Sequence, residues 1–210
     1  MKRIRNQNGF AIGAILLVVA LIAIVAAAFV IAGRTSSATS AEQSSKVMAA
    51  TMVQQGINMR NGFDKMLASG LTADTITWDT TAVTGIFNPT DGGAVEQFPQ
   101  ADALLTTTNQ WVYKISAGSP VVKIKGIGID ATADNAVVLV DLKAGVCQQI
   151  NKLLYGSTAI PAPAAGTAAD WGTAATAIDL SADAAVEKKP DACIKTTDAK
   201  YVYYKVLREQ

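Results

Sequence analysis

The hydrophobic and polar positions divide this chain into three stretches with different periods. Residues 1–9, MKRIRNQNG, are followed by an uncharged apolar run of 24 residues from Phe10 to Gly33, FAIGAILLVVALIAIVAAAFVIAG. At 1.5 Å per residue a helix of that length reaches about 36 Å, enough to cross a hydrocarbon core of roughly 30 Å, so the run predicts a membrane-spanning helix. After Arg34 a polar stretch, TSSATSAEQSS, leads into a second helical pattern in which Ala49, Met52, Gly56, Met59, Phe63 and Met66 fall three or four residues apart. That spacing puts one apolar stripe on a helix face, and Gly70 is the expected stop. Gly56 and Gly62 each cost such a helix about 1 kcal/mol relative to Ala, which makes them the expected points of bending or fraying. The pattern as a whole predicts a helix from near Phe10 to near Ser69, open to interruption around residues 35–41. Its first half suits a membrane, and residues 34–70 form an amphipathic continuation.

Beyond Gly70 the helical period is lost. Leu71 to Gln100 is rich in Thr, Asp, Gly and Pro, with Thr75 to Trp78 as a short strand and Asn88 to Gly93 as turn chemistry. Three strand-like runs follow, Gln110 to Ser116, Val121 to Ile129 and Ala136 to Leu142, the first two alternating with period two. They predict an antiparallel meander packed on the amphipathic helix. Ala144 to Tyr155 has Val146, Ile150 and either Leu153 or Leu154 at helical spacing and closes at Gly156, a short helix. Ser157 to Ala185 is rich in Ala, Thr, Gly and Pro, with little periodicity, and is expected as a long exposed loop. Lys200 to Arg208, KYVYYKVLR, reads as a last strand. The fold class expected is α+β: a long N-terminal helix packed on a small antiparallel β-sheet head spanning residues 71–210.

Charge orients the first helix. Lys2, Arg3 and Arg5 precede the apolar run, and the first acid is Glu42. An excess of positive charge stays on the cytoplasmic side, so the rest of the chain is expected outside. The net charge is +1 over the whole sequence, which speaks against a nucleic-acid partner. The chain has no His, so neither an imidazole base nor a His-bearing zinc site is available. The two cysteines, Cys147 and Cys193, lie 46 positions apart. In an exported protein an oxidising compartment favours a disulfide between them, and such a bridge would bound a C-terminal region of the head. The competing readings are a metal site, short of soft ligands, and a nucleophile, without an imidazole to activate it. Asp130, Asp134 and Asn135 lack the acid spacing and central Gly of a calcium loop and read as a solvated turn. Gly126-Ile127-Gly128 carries too little of any nucleotide fingerprint. No catalytic constellation, metal site or cofactor is expected, and the chain does not read as an enzyme.

The N-terminal segment admits three readings. A cleaved secretory signal usually has an apolar region of about 7–15 residues, shorter than this one, although a cut near Ser37 to Ala41 would fit small-residue specificity. A plain uncleaved anchor fits the hydropathy. The junction itself, Gly9 followed by Phe10 at the boundary between basic leader and apolar run, resembles the class III signal of the type IV pilin family, which includes the pseudopilins of type II secretion. That resemblance implies cleavage of the leader, residues 1–9, after Gly9 by a prepilin peptidase on the cytoplasmic face, with methylation of Phe10. It further implies an inner-membrane precursor with its head in the periplasm, and partners in other pilin-like subunits and an assembly platform. Residues 10–33 would then become a filament core. Ala14 stands at the fifth position of the mature chain, where most of the family carries glutamate, which points to a minor pilin or pseudopilin rather than a shaft subunit. A bridge such as Cys147–Cys193 is also similar to the family's C-terminal disulfide. The alternative function is a membrane-anchored periplasmic binding module that never polymerises.

Overall fold

The computed structural model describes residues 40–106, 110–114, 122–128, 134–164, 166–173, 176, 178–181 and 183–209. The leader and the apolar run, with Gly9, Phe10 and Ala14, lie outside the described residues. Among those described, no helix is long and apolar enough to cross a membrane. The chain divides into two compact units, Met1–Ser44 and Ser45–Gln210. The second holds the sheets and nearly all of the described helix.

That helix, α1, covers residues 40–68. The stripe read from the sequence is its buried face: Ala49, Met52, Met59, Phe63 and Met66 are all essentially inaccessible. Gly70, at φ +98°, ends it with the left-handed turn that glycine favours, and the Leu71 N–H returns to the Met66 carbonyl at 3.3 Å. The two internal glycines neither break nor fray the helix, because each marks a close approach. A Cβ on Gly56 would lie 2.9 Å from Lys205 Cδ on the sheet. One on Gly62 would lie 2.6 Å from Ala94 Cβ, in the loop that runs back along the helix. Their cost in helix propensity is offset by letting sheet and loop pack directly against the backbone.

The fold is α+β, as expected, with a four-stranded antiparallel sheet in the order β1 (Val112–Lys114), β3 (Asn135–Leu139), β6 (Tyr201–Arg208), β5 (Asp191–Lys195). The expected meander fails at its middle strand. β2 (Val122–Ile124) leaves this sheet and pairs in parallel with β4 (Ile178–Leu180). Val122 and Ile124 are buried in the core on the face of the four-stranded sheet opposite α1, while Lys123 is half-buried, so the alternation was right and the partner was not. The stretch from Ser157 to Ala185 is likewise more than a loop. It contributes α3 (Ala168–Gly172) and β4, and buries Trp171, Ile178 and Leu180. Thr75 to Trp78 makes only an isolated bridge, Thr77 to Gly85. Its loop is nonetheless anchored, with Trp78 stacked on Tyr113 at 4.9 Å between ring centroids and edge-on to Phe87 at 4.6 Å.

Strand alternation therefore feeds two cores. Val137, Leu139, Tyr203 and Leu207 pack with α1, with Val146, Cys147 and Ile150 of α2 (Ala144–Tyr155), and with the loop after α1. Ala136, Val138, Val202, Tyr204 and Val206 pack on the opposite face with β2, β4 and α3, where Trp171 stacks on Tyr204 at 5.8 Å. Burial holds the hydroxyls of Tyr113, Tyr203 and Tyr204 well above the ordinary tyrosine value, and the negative charge of Asp191 adds to this at Tyr203 and Tyr204.

For these tyrosines the sign of the pH dependence is fixed. The folded state retains protons that the unfolded chain releases near pH 10, so their stabilising contribution is complete below about pH 10 and is lost as pH rises beyond it. We expect their tyrosinate absorbance to appear in one cooperative step, together with loss of the near-ultraviolet dichroism of the aromatic core. Gradual ionisation of all the tyrosines in protein that keeps its dichroism would contradict the two-core packing.

Candidate functional site

The two cysteines lie in the segment that closes the sheet. Val146, Cys147, Ile150 and Asn151 are buried on one face of α2, Leu154 packs partly against the same core, and Leu153 is exposed, which resolves the ambiguity between the two leucines. Gly156 ends the helix at φ +72°, its N–H bonded to the Lys152 carbonyl at 3.0 Å. This places Cys147 against β5, and the disulfide Cys147–Cys193 is formed, with the Cα atoms 5.3 Å apart. Of the three readings of these residues, the bridge is the one observed. Cys193 lies within β5, a strand with no clear pattern in the sequence.

β5 is an edge strand, and α2 seals it. Asn151, one turn beyond Cys147 on the same face, accepts the Cys193 N–H at 2.9 Å and donates to the Cys193 carbonyl at 2.7 Å. The same amide donates to the Ala159 carbonyl at 3.0 Å. On either side, the Tyr155 hydroxyl donates to the Asp191 carbonyl, and the Lys195 N–H donates to the Pro161 carbonyl at 2.8 Å. Alternate residues of the strand thus have their outward backbone groups satisfied without another strand, which removes a template for edge-to-edge pairing.

Beside this seam lies a nearly dry ion pair. Lys205 Nζ donates to Asp191 Oδ2 at 2.9 Å, and the two side chains are 9% and 10% exposed. They are direct cross-strand partners on β6 and β5. The lysine stem crosses over Gly56, so α1 can approach only because that residue has no side chain. The Tyr155 hydroxyl is pushed up first by burial and then by the Asp191 charge, and Lys189 Nζ sits 5.2 Å from the centre of its ring. Inside the bridged segment, Thr167 and Asp170 form a reciprocal capping box at the start of α3. The pattern Thr-x-x-Asp before Trp171 was a readable signal for that helix. Asn151, four residues after Cys147, was readable as sharing its face. The Asp191–Lys205 pair had no sequence signal, because its partners meet only through register.

The bridge, the amide and the ion pair fix backbone in place, and their chemistry is structural. Among the described residues no group of three Cys, Asp or Glu side chains converges as a metal site. Asp134 and Asn135 are not in a solvated turn, as had been expected: they are 1% and 5% exposed, and the Asp134 N–H donates to the Val122 carbonyl at 2.7 Å to join β2 to the start of β3. Asp130 lies outside the described residues, as do the processing positions Gly9 and Phe10. Comparison with protein-family models, with curated proteins and with solved structures finds no match to this chain.

The seam separates covalent from hydrogen-bonded closure. Cys147→Ala should destabilise the head by about 2–4 kcal/mol. Asn151→Ala, with the bridge intact, should still cost about 1–3 kcal/mol because it leaves buried backbone groups of Cys193 unpaired. Denaturant midpoints of the two variants under oxidising conditions check this, and an unchanged midpoint for Asn151→Ala would refute the sealing role.

Proposed function

We propose that this chain is a type IV pilin-like subunit of the minor pilin or pseudopilin kind, held in the inner membrane by residues 10–33 and drawn from there into a filament. The observation that carries the reading is the layout of one continuous region. An apolar run preceded by Gly9-Phe10 leads into a helix whose buried stripe lies on an antiparallel sheet, and a disulfide ties the last helix to an edge strand of that sheet. Each part has a task in such a subunit. The basic leader keeps the cut site at the cytoplasmic face. The apolar helix is stored in lipid and then packs against its neighbours. The head, with a core of its own, stays folded through the transfer, and the bridge holds its edge in an oxidising compartment. No step of bond-making chemistry is assigned to it.

One feature favours the second reading, a lone anchor carrying a binding module. Ala14 supplies no carboxylate to pair with a neighbouring subunit's N-terminal amine. An unpaired charge in hydrocarbon is costly, so Ala14 eases residence in the membrane while removing one device for registry.

Intact-mass and N-terminal peptide analysis of the protein from a host with prepilin peptidase tests the proposal. The expected mature chain begins at N-methylated Phe10, and a bulky substitution at Gly9 should leave the leader attached. A wild-type chain that retains Met1, or one cut near Ser37 to Ala41, would overturn it.

A further inference from the structure

On the flank of α1, the helix and the loop running back along it line an open groove of about 630 Å³. Ala50, Thr51, Gln54, Gln55, Asn58, Gln97 and Phe98 line it, so four of the seven side chains are carboxamides and none is charged. The innermost amide is fully used. Gln55 accepts the Trp111 indole N–H at 3.0 Å and donates to the Phe98 carbonyl at 2.9 Å, which fixes the loop against the helix. The outer three form a chain: Gln54 donates to Asn58 Oδ1 at 3.0 Å, and Asn58 donates to Gln97 Oε1 at 3.5 Å. Each carboxamide has two donors and an acceptor with two lone pairs, so these three lining side chains carry more donors and acceptors than the two bonds use. At the lip, Phe98 is 58% exposed, while the other phenylalanines and the tryptophans of the head are buried or largely so.

We propose that this groove is a binding site for a neutral, hydroxyl-rich ligand of the saccharide class. The lining excludes the alternatives by chemistry. An anion would call for Lys, Arg or a helix N-terminus, and a cation for carboxylates. A wholly apolar ligand would strip water from amides without replacing its hydrogen bonds. Each sugar hydroxyl both donates and accepts and so matches a carboxamide, whereas the C–H face of a pyranose ring suits an exposed aromatic lip. An extended peptide is a poorer match, since residues 94–98 belong to no strand and the Phe98 carbonyl is already taken by Gln55, leaving little edge for strand addition. The volume falls in the range of small-ligand sites, about 300–1,000 Å³. The inference goes beyond filament assembly and does not depend on it.

The test uses the full chain in a detergent without a sugar headgroup. It is presented with an array of neutral hexose and N-acetylhexosamine oligosaccharides, with sialylated and sulfated glycans and an uncharged Gly/Ser peptide as comparators. Binding to neutral members is expected, weakened about tenfold by Gln54→Ala and by Phe98→Ala, roughly one hydrogen bond or contact each, and largely retained in Phe98→Tyr. Gln54 and Phe98 are exposed, so these variants should unfold at the wild-type temperature. No binding to any neutral glycan, preference for the charged glycans or the peptide, or binding indifferent to both alanine substitutions would overturn the proposal.

Discussion

Burial of strands β3 and β6 on both faces is the constraint on which the head depends. All five residues of β3 are buried, and so are six of the eight in β6. A sheet with two apolar faces needs two covers. On one face the cover is the stripe of α1 with α2 and the loop after α1. On the other it is assembled from pieces with little helical or strand character of their own: β2, β4 and the five-residue α3. Those pieces are too short to persist alone, and the sheet gives them their surface to pack on. Trp171, fully buried against Tyr204, supplies the largest single side chain of that second layer.

The same sheet explains why a charge can sit between helix and strand. Lys205 lies on the α1 side of β6, where an unpaired ammonium would carry a heavy desolvation cost. Register places Asp191 opposite it, and Gly56 leaves room for its stem. Replacing such a pair with apolar residues is often neutral or stabilising, whereas removing one partner alone strands a buried charge. Asn151 and the Cys147–Cys193 bridge act on the outer side of β5. Edge and helix docking are thus decided within a few residues of Cys193.

Legibility in the sequence followed local periodicity. The stripe from Ala49 to Met66, the short helix at Ala144 and the strand through Tyr201 to Arg208 each repeat with a clear period over several residues, and all three lie where that period puts them. The partners of β2 could not be read, because alternation in Val122 to Ile124 fixes which side chains are buried and says nothing about which strand pairs with it. β5 was hidden by an Asp and a Lys in a five-residue strand, residues that count against a buried strand until the Asp191–Lys205 pair is known. α3 and β4 were masked by an Ala- and Thr-rich surrounding that shows no moment, and only Trp171 and the Thr167 to Asp170 box betrayed them. Gly56 and Gly62 were read as weaknesses of the helix. Packing turned them into contacts, a conversion that needs the neighbouring backbone to be seen. At the candidate site the cysteine pair was legible from compartment and count and Asn151 from its place on the face of Cys147, while the bonds of Asn151 to Cys193 and the ion pair were tertiary.

The proposed function combines this doubly covered sheet with the apolar sequence of residues 10–33. Its central claim is polymerisation. Crosslinking of intact membranes, in a host that expresses prepilin peptidase and the assembly machinery, measures it most directly. The account predicts adducts of this chain with pilin-like subunits, lost when a bulky residue at Gly9 prevents processing. A correctly processed chain, beginning at Phe10, that forms no adduct with any pilin-like subunit would contradict it and leave a lone membrane-anchored module.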